Sequence, residues 1–303
     1  MEGSKTVPEA LRRLARKNSF LYILYNVPRL LKGYYPIFLD YPFEPTPRYG
    51  YGRPAHPELH AMFSEGKQEY RELLKSFLQF QDELIRIPPT QPKGSAEPSW
   101  INNWLDGLDT FALYGFVAQR RPNLYLEIGS GYSTKVVRRA IRDHLLKTAL
   151  ISIDPRPRDE IDSICDQVLR QALQDVDQAI FRRLTRGDIL FLDGSHRSFM
   201  NSDVTVFFLE ILPRLQPGVM VHLHDIELPY DYMPERAHWY YSEQYLLAAS
   251  LLAGHRGYRV VLPNAFVSKE QDVGSVLDQF WRLPNLTGVP RNGVSFWIEK
   301  SAE

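Results

Sequence analysis

The chain has 303 residues, 44% of them apolar and 13% aromatic, so it is long enough to bury a sizeable core and wholesale disorder is excluded. Lysine plus arginine and aspartate plus glutamate both number 36, which gives a formal net charge of zero. A chain without a basic excess has no overall field to hold nucleic acid, so we expect no nucleic-acid partner.

The sequence also bears on the compartment of the protein. No apolar run approaches the roughly 18 residues needed to span a bilayer, and the N-terminus lacks the pattern of a signal peptide. The single cysteine, Cys165, cannot form an internal disulfide and is expected to be reduced and packed. We therefore expect a cytoplasmic protein.

The N-terminus differs from the rest of the chain in charge. Its first 35 residues carry seven lysines or arginines against two glutamates, and the basic residues flank the apolar stretch 20–25. Two interpretations are open: a helix that packs on its own domain, or a peripheral contact with a membrane surface or a protein partner. The sequence leaves the oligomeric state open. The basic residues are Lys5, Arg12, Arg13, Arg16, Lys17, Arg29 and Lys32.

Prolines mark the boundaries of the first region, because they cluster at 28–57 and again at 88–98. Between the clusters, apolar residues recur at steps of three and four, which predicts one amphipathic helix over 57–87. We therefore predict an N-terminal helical and loop-rich extension over residues 1–99 and a second domain over residues 100–303.

In the second domain, short apolar runs alternate with helical stretches, as in a sheet covered on both faces. The pattern predicts an α/β fold with a doubly wound, seven-stranded, mostly parallel sheet that ends in an antiparallel edge. Strands are predicted at 124–128, 149–153, 167–170, 189–192, 219–223, 258–262 and 294–299, and helices at 134–144, 159–165, 202–212 and 242–253.

A glycine-rich turn follows the first predicted strand and leads directly into a helix. Gly129 and Gly131 permit a tight turn and close backbone approach, and the helix N-terminus offers unpaired N–H groups to a ligand. The neighbouring strand ends at Asp154, whose carboxylate can accept both hydroxyl protons of a ribose. The cofactor-binding residues predicted here are Glu127, Gly129, Gly131, Tyr132, Ser133, Thr134 and Asp154.

Two residues of this loop indicate which nucleotide cofactor is bound. A nicotinamide site would favour a third glycine where the chain has Thr134. Glu127 would repel a pyrophosphate but suits the positive sulfonium and amino groups of S-adenosylmethionine. The pair therefore favours S-adenosylmethionine over NAD. The alternative is purely structural: Glu127 caps the turn and Asp154 begins the next helix.

Acidic residues and histidines also follow the fourth and fifth predicted strands. The fourth ends in Asp193-Gly194-Ser195-His196, and the fifth in His222-Leu223-His224-Asp225-Ile226-Glu227. These strand tips are expected to meet at the ligand-binding edge of the sheet. His222 lies inside its strand and is expected to be a packed, hydrogen-bonded histidine.

Two hypotheses describe the chemistry at these tips. In the first, the catalytic residues are His224, His196 and Asp225: one imidazole removes a hydroxyl proton from the acceptor and Asp225 sets its tautomer. In the second, Asp193, Asp225 and His224 hold a divalent ion of magnesium, manganese or iron, which lowers the pKa of that hydroxyl.

Aromatic and polar residues crowd the segment after the fifth strand, from Leu228 to Tyr245. Such a loop suits an acceptor lid, in which rings bury one face of the substrate and polar tips orient it. The alternative is a surface loop that docks on the N-terminal region. The stretches 49–51 and 102–104 are expected to face the same cleft.

The segments 124–134, 152–155, 187–196 and 217–225 resemble class I S-adenosylmethionine-dependent methyltransferases, and most closely the bacterial small-molecule O-methyltransferase-like group. The resemblance covers residues 100–267. It implies a Rossmann-like methyltransferase fold, with the cofactor held by residues 127–134, Asp154 and Asp193. It also implies methyl transfer to a small-molecule acceptor, in some relatives with a metal at these acidic strand ends.

We therefore predict a methyltransferase that O-methylates a small polar or aromatic metabolite, with a divalent metal as an additional hypothesis. The alternatives are a metal-dependent oxygenase or hydroxylase on the same fold, in which His224 beside Asp225 would serve iron, and a non-catalytic cofactor-binding module.

Overall fold

The computed structural model of the chain describes residues 19–31, 37, 41, 43–254 and 257–302. The chain divides into two compact units, residues 1–45 and 46–303. In the first unit, helix α1 (Ser19–Leu30) exposes Leu24 and Val27, and Leu31 directly after it is also exposed. The basic residues 5–17 and Lys32 lie outside the described residues. Within the described part of the chain, no helix is both long and apolar enough to cross a membrane.

The second unit is built on seven strands: β1 (Leu124–Ile128), β2 (Ala149–Ile153), β3 (Gln167–Leu169), β4 (Ile189–Leu192), β5 (Met220–Leu223), β6 (Tyr258–Pro263) and β7 (Phe296–Lys300). They form one sheet in the order β3-β2-β1-β4-β5-β7-β6. All neighbouring strands are parallel except that β7 runs antiparallel to both β5 and β6. The predicted seven-stranded, mostly parallel α/β sheet with an antiparallel edge is confirmed.

Helices surround this sheet, and the strands β1, β4 and β5 are buried along their whole length, as expected for parallel strands covered on both faces. The α-helices of the second unit are α2 (Pro57–Glu65), α3 (Lys67–Phe77), α4 (Gln81–Leu84), α5 (Gly107–Arg120), α6 (Tyr132–Asp143), α7 (Asp203–Val206), α8 (Glu243–Leu252), α9 (Asn264–Lys269), α10 (Gln271–Gly274) and α11 (Asp278–Trp281).

Two helix predictions need correction. The single helix predicted over 57–87 is broken at Gly66, whose lack of a side chain admits the ring of Tyr70, and again at the 3₁₀ turn Leu78–Phe80. The helix predicted over 159–165 is only the 3₁₀ turn Asp162–Ile164. There the carbonyl of Ile164 accepts a hydrogen bond from the Arg138 guanidinium (2.5 Å), in place of a helical N–H.

Aromatic packing joins residues 57–84 to the sheet. The ring of Phe63 on α2 contacts Phe266 on α9 (5.9 Å between centroids) and Phe296 on β7 (5.4 Å), and Phe77 on α3 contacts Phe116 on α5 (5.0 Å). Residues 46–99, predicted as part of an extension, therefore lie in the same compact unit as the sheet.

The strand order places β1 between β2 and β4, so β2 and β3 lie on one side of β1, and the chain then returns to add β4 and β5 on the other side. This reversal opens a crevice at the carboxyl ends of the strands, where open α/β sheets bind their ligands. The fold therefore positions the loops after β1, β2, β4 and β5 around one site.

Candidate active site

A pocket of about 470 Å³ opens at the carboxyl ends of β1, β2 and β4. The turn between β1 and α6, Asp154, the loop after β3 and Asp193 all contribute to its lining. The predicted cofactor residues in this lining are Gly129, Gly131, Tyr132, Ser133, Asp154 and Asp193. Trp104, from the stretch 102–104 that was expected to face the cleft, also lines the pocket. Pocket residues that the sequence did not indicate include Arg156, Arg158, Ala172, Leu173 and Gln174.

Gly129 is required by the geometry of the turn. Its φ of +80° lies in the left-handed region, and a Cβ at this position would collide with the backbone oxygen of Asp193. The amide N–H of Asp193 donates to the carbonyl of Ile128 (2.9 Å). These contacts hold the ends of β1 and β4 together and bring Asp193 to the pocket.

Asp154 bridges the pocket and the turn. One of its carboxylate oxygens accepts the backbone N–H of Ser130 (2.8 Å), and the other accepts that of Arg156 (2.7 Å). Each carboxylate oxygen has further lone pairs, so Asp154 retains capacity for ribose hydroxyls. The role of Asp154 in cofactor binding stays a prediction, and its position in the pocket lining is compatible with that role.

Glu127 and Thr134 lie beneath the turn rather than in the pocket lining, and both side chains are fully buried. The carboxylate of Glu127 accepts hydrogen bonds from the hydroxyls of Ser133 and Thr134, and Thr134 also accepts the N–H of Gly131 (3.0 Å). Burial raises the pKa of Glu127 to about 8, although the two hydroxyls lower it. Glu127 therefore braces the turn from below, as in the structural alternative.

The predicted strand tips meet next to the pocket. The Nε2 atom of His196 lies 3.2 Å from Asp193 Oδ1 and 3.6 Å from Asp225 Oδ2. One atom from each of these three side chains lies within 4.8 Å of the other two, a spacing that suits a metal ion. His196 and Asp225 both have positive φ values, +62° and +56°, in the left-handed region that few non-glycine residues adopt.

His196 has a third carboxylate neighbour, Glu243 at the start of α8, which contacts its Nδ1 atom. Burial opposes a charge on His196, but Glu243 and Asp193 raise its pKa well above the usual range. For Asp193, burial acts upward, but His196 and His224 outweigh it and hold its pKa well below the usual range. In this arrangement the imidazolium form of His196 and the carboxylate form of Asp193 stabilise each other.

His224 occupies a separate position from the Asp193–His196–Asp225 group. Its Nε2 atom lies 3.6 Å from Asp109 Oδ2, and its Nδ1 atom lies 3.7 Å from Asp193 Oδ1. Burial opposes its charge, but Asp109 and Asp193 raise its pKa well above the usual range. The two carboxylates favour the imidazolium form of His224, whereas a general base needs the neutral form, so the predicted role of His224 as a base stays a prediction. Among the described residues, the group that suits a metal contains His196 and not His224.

Asp225 and Glu227 connect the cluster to the loop after β5. Arg236 lies 2.5 Å from Asp225 Oδ1 and 4.0 Å from Glu227 Oε1. The phenol of Tyr51 donates a hydrogen bond to Glu227 Oε2. Asp225 therefore pairs with Arg236 and lies near His196, which is one of the two histidines whose tautomer it was predicted to set.

His222 is a structural residue, as the sequence predicted. It is fully buried, its Nε2 atom lies 2.6 Å from Ser295 Oγ, and its ring stacks on Trp297 with 3.9 Å between centroids.

Three residues of the site were not singled out from the sequence: Asp109, Glu243 and Arg236. Asp109 is fully buried on α5 and accepts three hydrogen bonds, from Asn264 and from the backbone at 294 and 295. A charged residue inside the apolar helical pattern of 107–118 was the available signal for Asp109. The others lie in polar segments where no pattern distinguishes them from surface residues.

The sheet order, the glycine turn after β1 and the acidic tips of β2 and β4 together define a Rossmann-like methyltransferase fold. Residues 126–226, about a third of the chain, match a family model described as a methyltransferase domain. The chain therefore contains a methyltransferase domain, in agreement with the methyltransferase predicted from the sequence.

No curated protein matches the sequence. Among solved structures, the O-methyltransferase TomG from Streptomyces achromogenes, in complex with S-adenosylmethionine, is 15% identical over 63% of this chain and 78% of that chain, with a TM-score of 0.36. An O-methyltransferase from Bacillus cereus is 14% identical over 76% and 91%, with a TM-score of 0.37. A methyltransferase from Podospora anserina is 13% identical over 84% and 100%, with a TM-score of 0.38. Similarities this low carry no argument about the acceptor.

Proposed function

We propose that this methyltransferase transfers a methyl group to a hydroxyl oxygen of a small polar or aromatic metabolite, with the assistance of a divalent cation. One observation carries the proposal: Asp193 belongs both to the lining of the cofactor pocket and to the Asp193–His196–Asp225 group. A hydroxyl held at this group would therefore lie next to the cofactor pocket.

The cofactor side of the site is formed by the chain's own backbone and carboxylates. The turn from Gly129 to Ser133 would hold the amino-acid end of S-adenosylmethionine, and Asp154 would accept the ribose hydroxyls. Ala172 and Leu173 supply apolar surface for the adenine. When bound, S-adenosylmethionine supplies an electrophilic methyl group on a sulfonium.

The donor set of the cluster suits magnesium, manganese or iron, because it combines two carboxylate oxygens with one imidazole nitrogen. A bound divalent cation would lower the pKa of an acceptor hydroxyl. His196 must then release its Nε2 proton, since metal ligands bind in their deprotonated form. His224 remains between Asp109 and Asp193 and limits the negative charge of the cluster.

The acceptor side is formed by the loop after β5 together with residues from the N-terminal part of the second unit. Tyr51 contacts Glu227, and Arg236 contacts Asp225 and packs over the ring of Trp239 (5.4 Å). Glu227 is buried and its Oε1 atom has no hydrogen-bond partner in the described structure, so it would accept a proton from an acceptor hydroxyl group. These features support the acceptor-lid interpretation of this loop.

The test measures S-adenosylhomocysteine, because every methyl transfer releases it whatever the acceptor. The protein would be incubated with S-adenosylmethionine and pools of catechols, other phenols and sugars, with Mg²⁺, Mn²⁺ or a chelator. We expect turnover that falls at least about tenfold after chelation and in Asp225→Asn. Asp177→Asn, which alters a carboxylate that caps a turn outside the cluster, is the matched control.

Each outcome separates the parts of the proposal. Unchanged turnover after exhaustive chelation would exclude the metal but retain methyl transfer. Oxidised products that require iron and oxygen, without S-adenosylhomocysteine, would replace O-methylation by the oxygenase alternative. Failure to bind S-adenosylhomocysteine in calorimetry would contradict the assigned cofactor pocket.

A further inference from the structure

Glu243 is a buried carboxylate that the proposed chemistry does not yet use. It is the first residue of α8, has no exposed surface, and contacts the Nδ1 atom of His196 through Oε1. Its other carboxylate oxygen, Oε2, has no hydrogen-bond partner in the described structure. Burying a carboxylate costs free energy, so this placement calls for a function.

The start of α8 holds His196 by its backbone as well as by its side chain. The carbonyl of His196 accepts the N–H of Ser242 (2.7 Å) and that of Glu243 (3.4 Å). The ring of Tyr241 packs against the imidazole, with 4.4 Å between centroids. Because these contacts come from consecutive residues, they fix both the backbone and the ring of His196.

The orientation of the ring decides what each nitrogen can do. Nδ1 faces Glu243, whereas Nε2 faces the space between Asp193 and Asp225, at 3.2 Å and 3.6 Å from their oxygens. A carboxylate only accepts hydrogen bonds, so Glu243 favours a proton on Nδ1. A neutral imidazole with its proton on Nδ1 presents a lone pair on Nε2 to that space.

We propose that Glu243 is a positioning residue that fixes the tautomer of His196 and so enables Asp193, His196 and Asp225 to bind a divalent cation. This inference rests on the metal assigned to the site in the proposed function. Carboxylates that orient metal-bound histidines commonly raise metal affinity by about 10- to 100-fold. Glu243 would act in this way through His196, without touching the cation.

The test measures Mn²⁺ binding by the electron paramagnetic resonance signal of the free ion, so it needs no acceptor and no turnover. Glu243→Gln retains the size of the side chain but replaces the charged acceptor at Nδ1 by a neutral amide. This amide presents either an N–H₂ donor or a weaker acceptor oxygen, so the preference for a proton on Nδ1 is weakened or lost. Glu227→Gln is the matched control, because it removes one buried carboxylate near the cluster without contacting His196. We expect the dissociation constant to rise about 10- to 100-fold in Glu243→Gln and less than about threefold in Glu227→Gln.

A second measurement uses the wild-type protein and so does not depend on how the variants fold. The ¹⁵N chemical shifts of His196 with bound Mg²⁺ should show a protonated Nδ1 and an unprotonated Nε2. Calorimetry with S-adenosylhomocysteine should give equal affinities for the three proteins, which shows that the fold is retained.

Four results would overturn the inference. Equal Mn²⁺ affinity of Glu243→Gln and wild type, or a proton on Nε2 in the Mg²⁺-bound protein, would show that Glu243 does not set the tautomer. An equal loss of Mn²⁺ affinity in Glu227→Gln would show that the effect comes only from the change in net charge near the cluster. Absence of Mn²⁺ binding by the wild-type protein would remove the metal from the proposed function as well.

Discussion

The phenol of Tyr51 donates a hydrogen bond to the buried carboxylate of Glu227, although 176 residues separate the two along the chain. Tyr51 has a φ of +54°, so its backbone adopts a conformation that tyrosine rarely occupies. Burial, the nearby carboxylate and the hydrogen bond to Glu227 all raise the pKa of Tyr51, so it stays a proton donor at any working pH. Tyr51, which lies outside the residues 126–226 that match the methyltransferase family model, thus contacts the candidate acceptor site.

A double-mutant cycle tests whether this pair is energetically coupled. Tyr51→Phe leaves Glu227 buried without its donor, and we expect it to lower the free energy of unfolding by about 1–3 kcal/mol. Combined with Glu227→Gln, the two changes should cost less than the sum of the single effects, with a coupling of about 0.5–3 kcal/mol. Urea unfolding measures all four proteins. Tyr49→Phe, which removes a phenol with no hydrogen bond to Glu227, is the control, and additive effects at residues 51 and 227 would contradict the coupling.

The buried Glu127 predicts a pH dependence of stability. Burial raises its pKa to about 8 in the folded protein, above the ordinary value of 4.5, so the folded state binds this proton more tightly than the unfolded state. The stability contributed by the protonated group is complete below pH 4.5, declines as the pH rises and is lost through pH 8. Glu127→Gln stays neutral at every pH. Its unfolding midpoint should therefore rise relative to that of the wild-type protein as the pH is raised from 5 to 9. A constant difference across that range would contradict the assignment.

The same substitution decides what Glu127 does for the cofactor. Because Glu127 lies beneath the turn, Glu127→Gln should change the affinities for S-adenosylmethionine and S-adenosylhomocysteine by the same factor. A carboxylate that faced the sulfonium would instead favour S-adenosylmethionine, which alone carries that positive charge. Calorimetric titration of both ligands distinguishes the two arrangements. A loss of affinity for S-adenosylmethionine alone would show that the carboxylate of Glu127 faces the sulfonium in the pocket.

Asp154 should contribute strongly to cofactor affinity. Asp154→Ala removes the acceptor for ribose hydroxyls and the acceptor that holds the N–H of Ser130. Hydrogen bonds to a charged group contribute about 1.5–3 kcal/mol, so we expect the dissociation constant of S-adenosylhomocysteine to rise about 10- to 100-fold. Asp272→Ala, an exposed carboxylate paired with Lys67, should leave it unchanged. Equal affinities for Asp154→Ala and wild type would show that the ribose lies elsewhere.

Membrane contact of the basic N-terminus stays a prediction from the sequence, with support from the exposed apolar residues Leu24, Val27 and Leu31. We expect the protein to float with phosphatidylserine-containing vesicles and much less with pure phosphatidylcholine, and to dissociate as salt screens the attraction. Leu24→Glu combined with Leu31→Glu should reduce flotation. Equal binding to both vesicle types, or none to either, would contradict an electrostatic membrane contact.

Much of the fold could be predicted because the central strands have strong local signals. The runs that form β1, β2 and β4 are apolar, short and bounded by turn residues, and their predicted limits agree with the structure. The helix predicted over 159–165 failed because periodic apolar residues also suit an extended loop that packs on a neighbour. There a side chain, Arg138, satisfies the Ile164 carbonyl from 26 residues away.

At the candidate site, the sequence predicted which strand ends come together but not which of their side chains contact one another. Asp154, Asp193, His196 and Asp225 follow buried strands, and parallel strands end at a common edge, so their proximity was predictable from the pattern alone. The division of the histidines was not, because a side chain's direction depends on the backbone after the strand ends. Positive φ values turn His196 and Asp225 towards each other, whereas His224 turns to Asp109 on α5. Long-range packing, which brings Glu243 and Tyr51 to the same cluster, is a property of the tertiary structure alone, since no local sequence signal encodes a contact between distant loops.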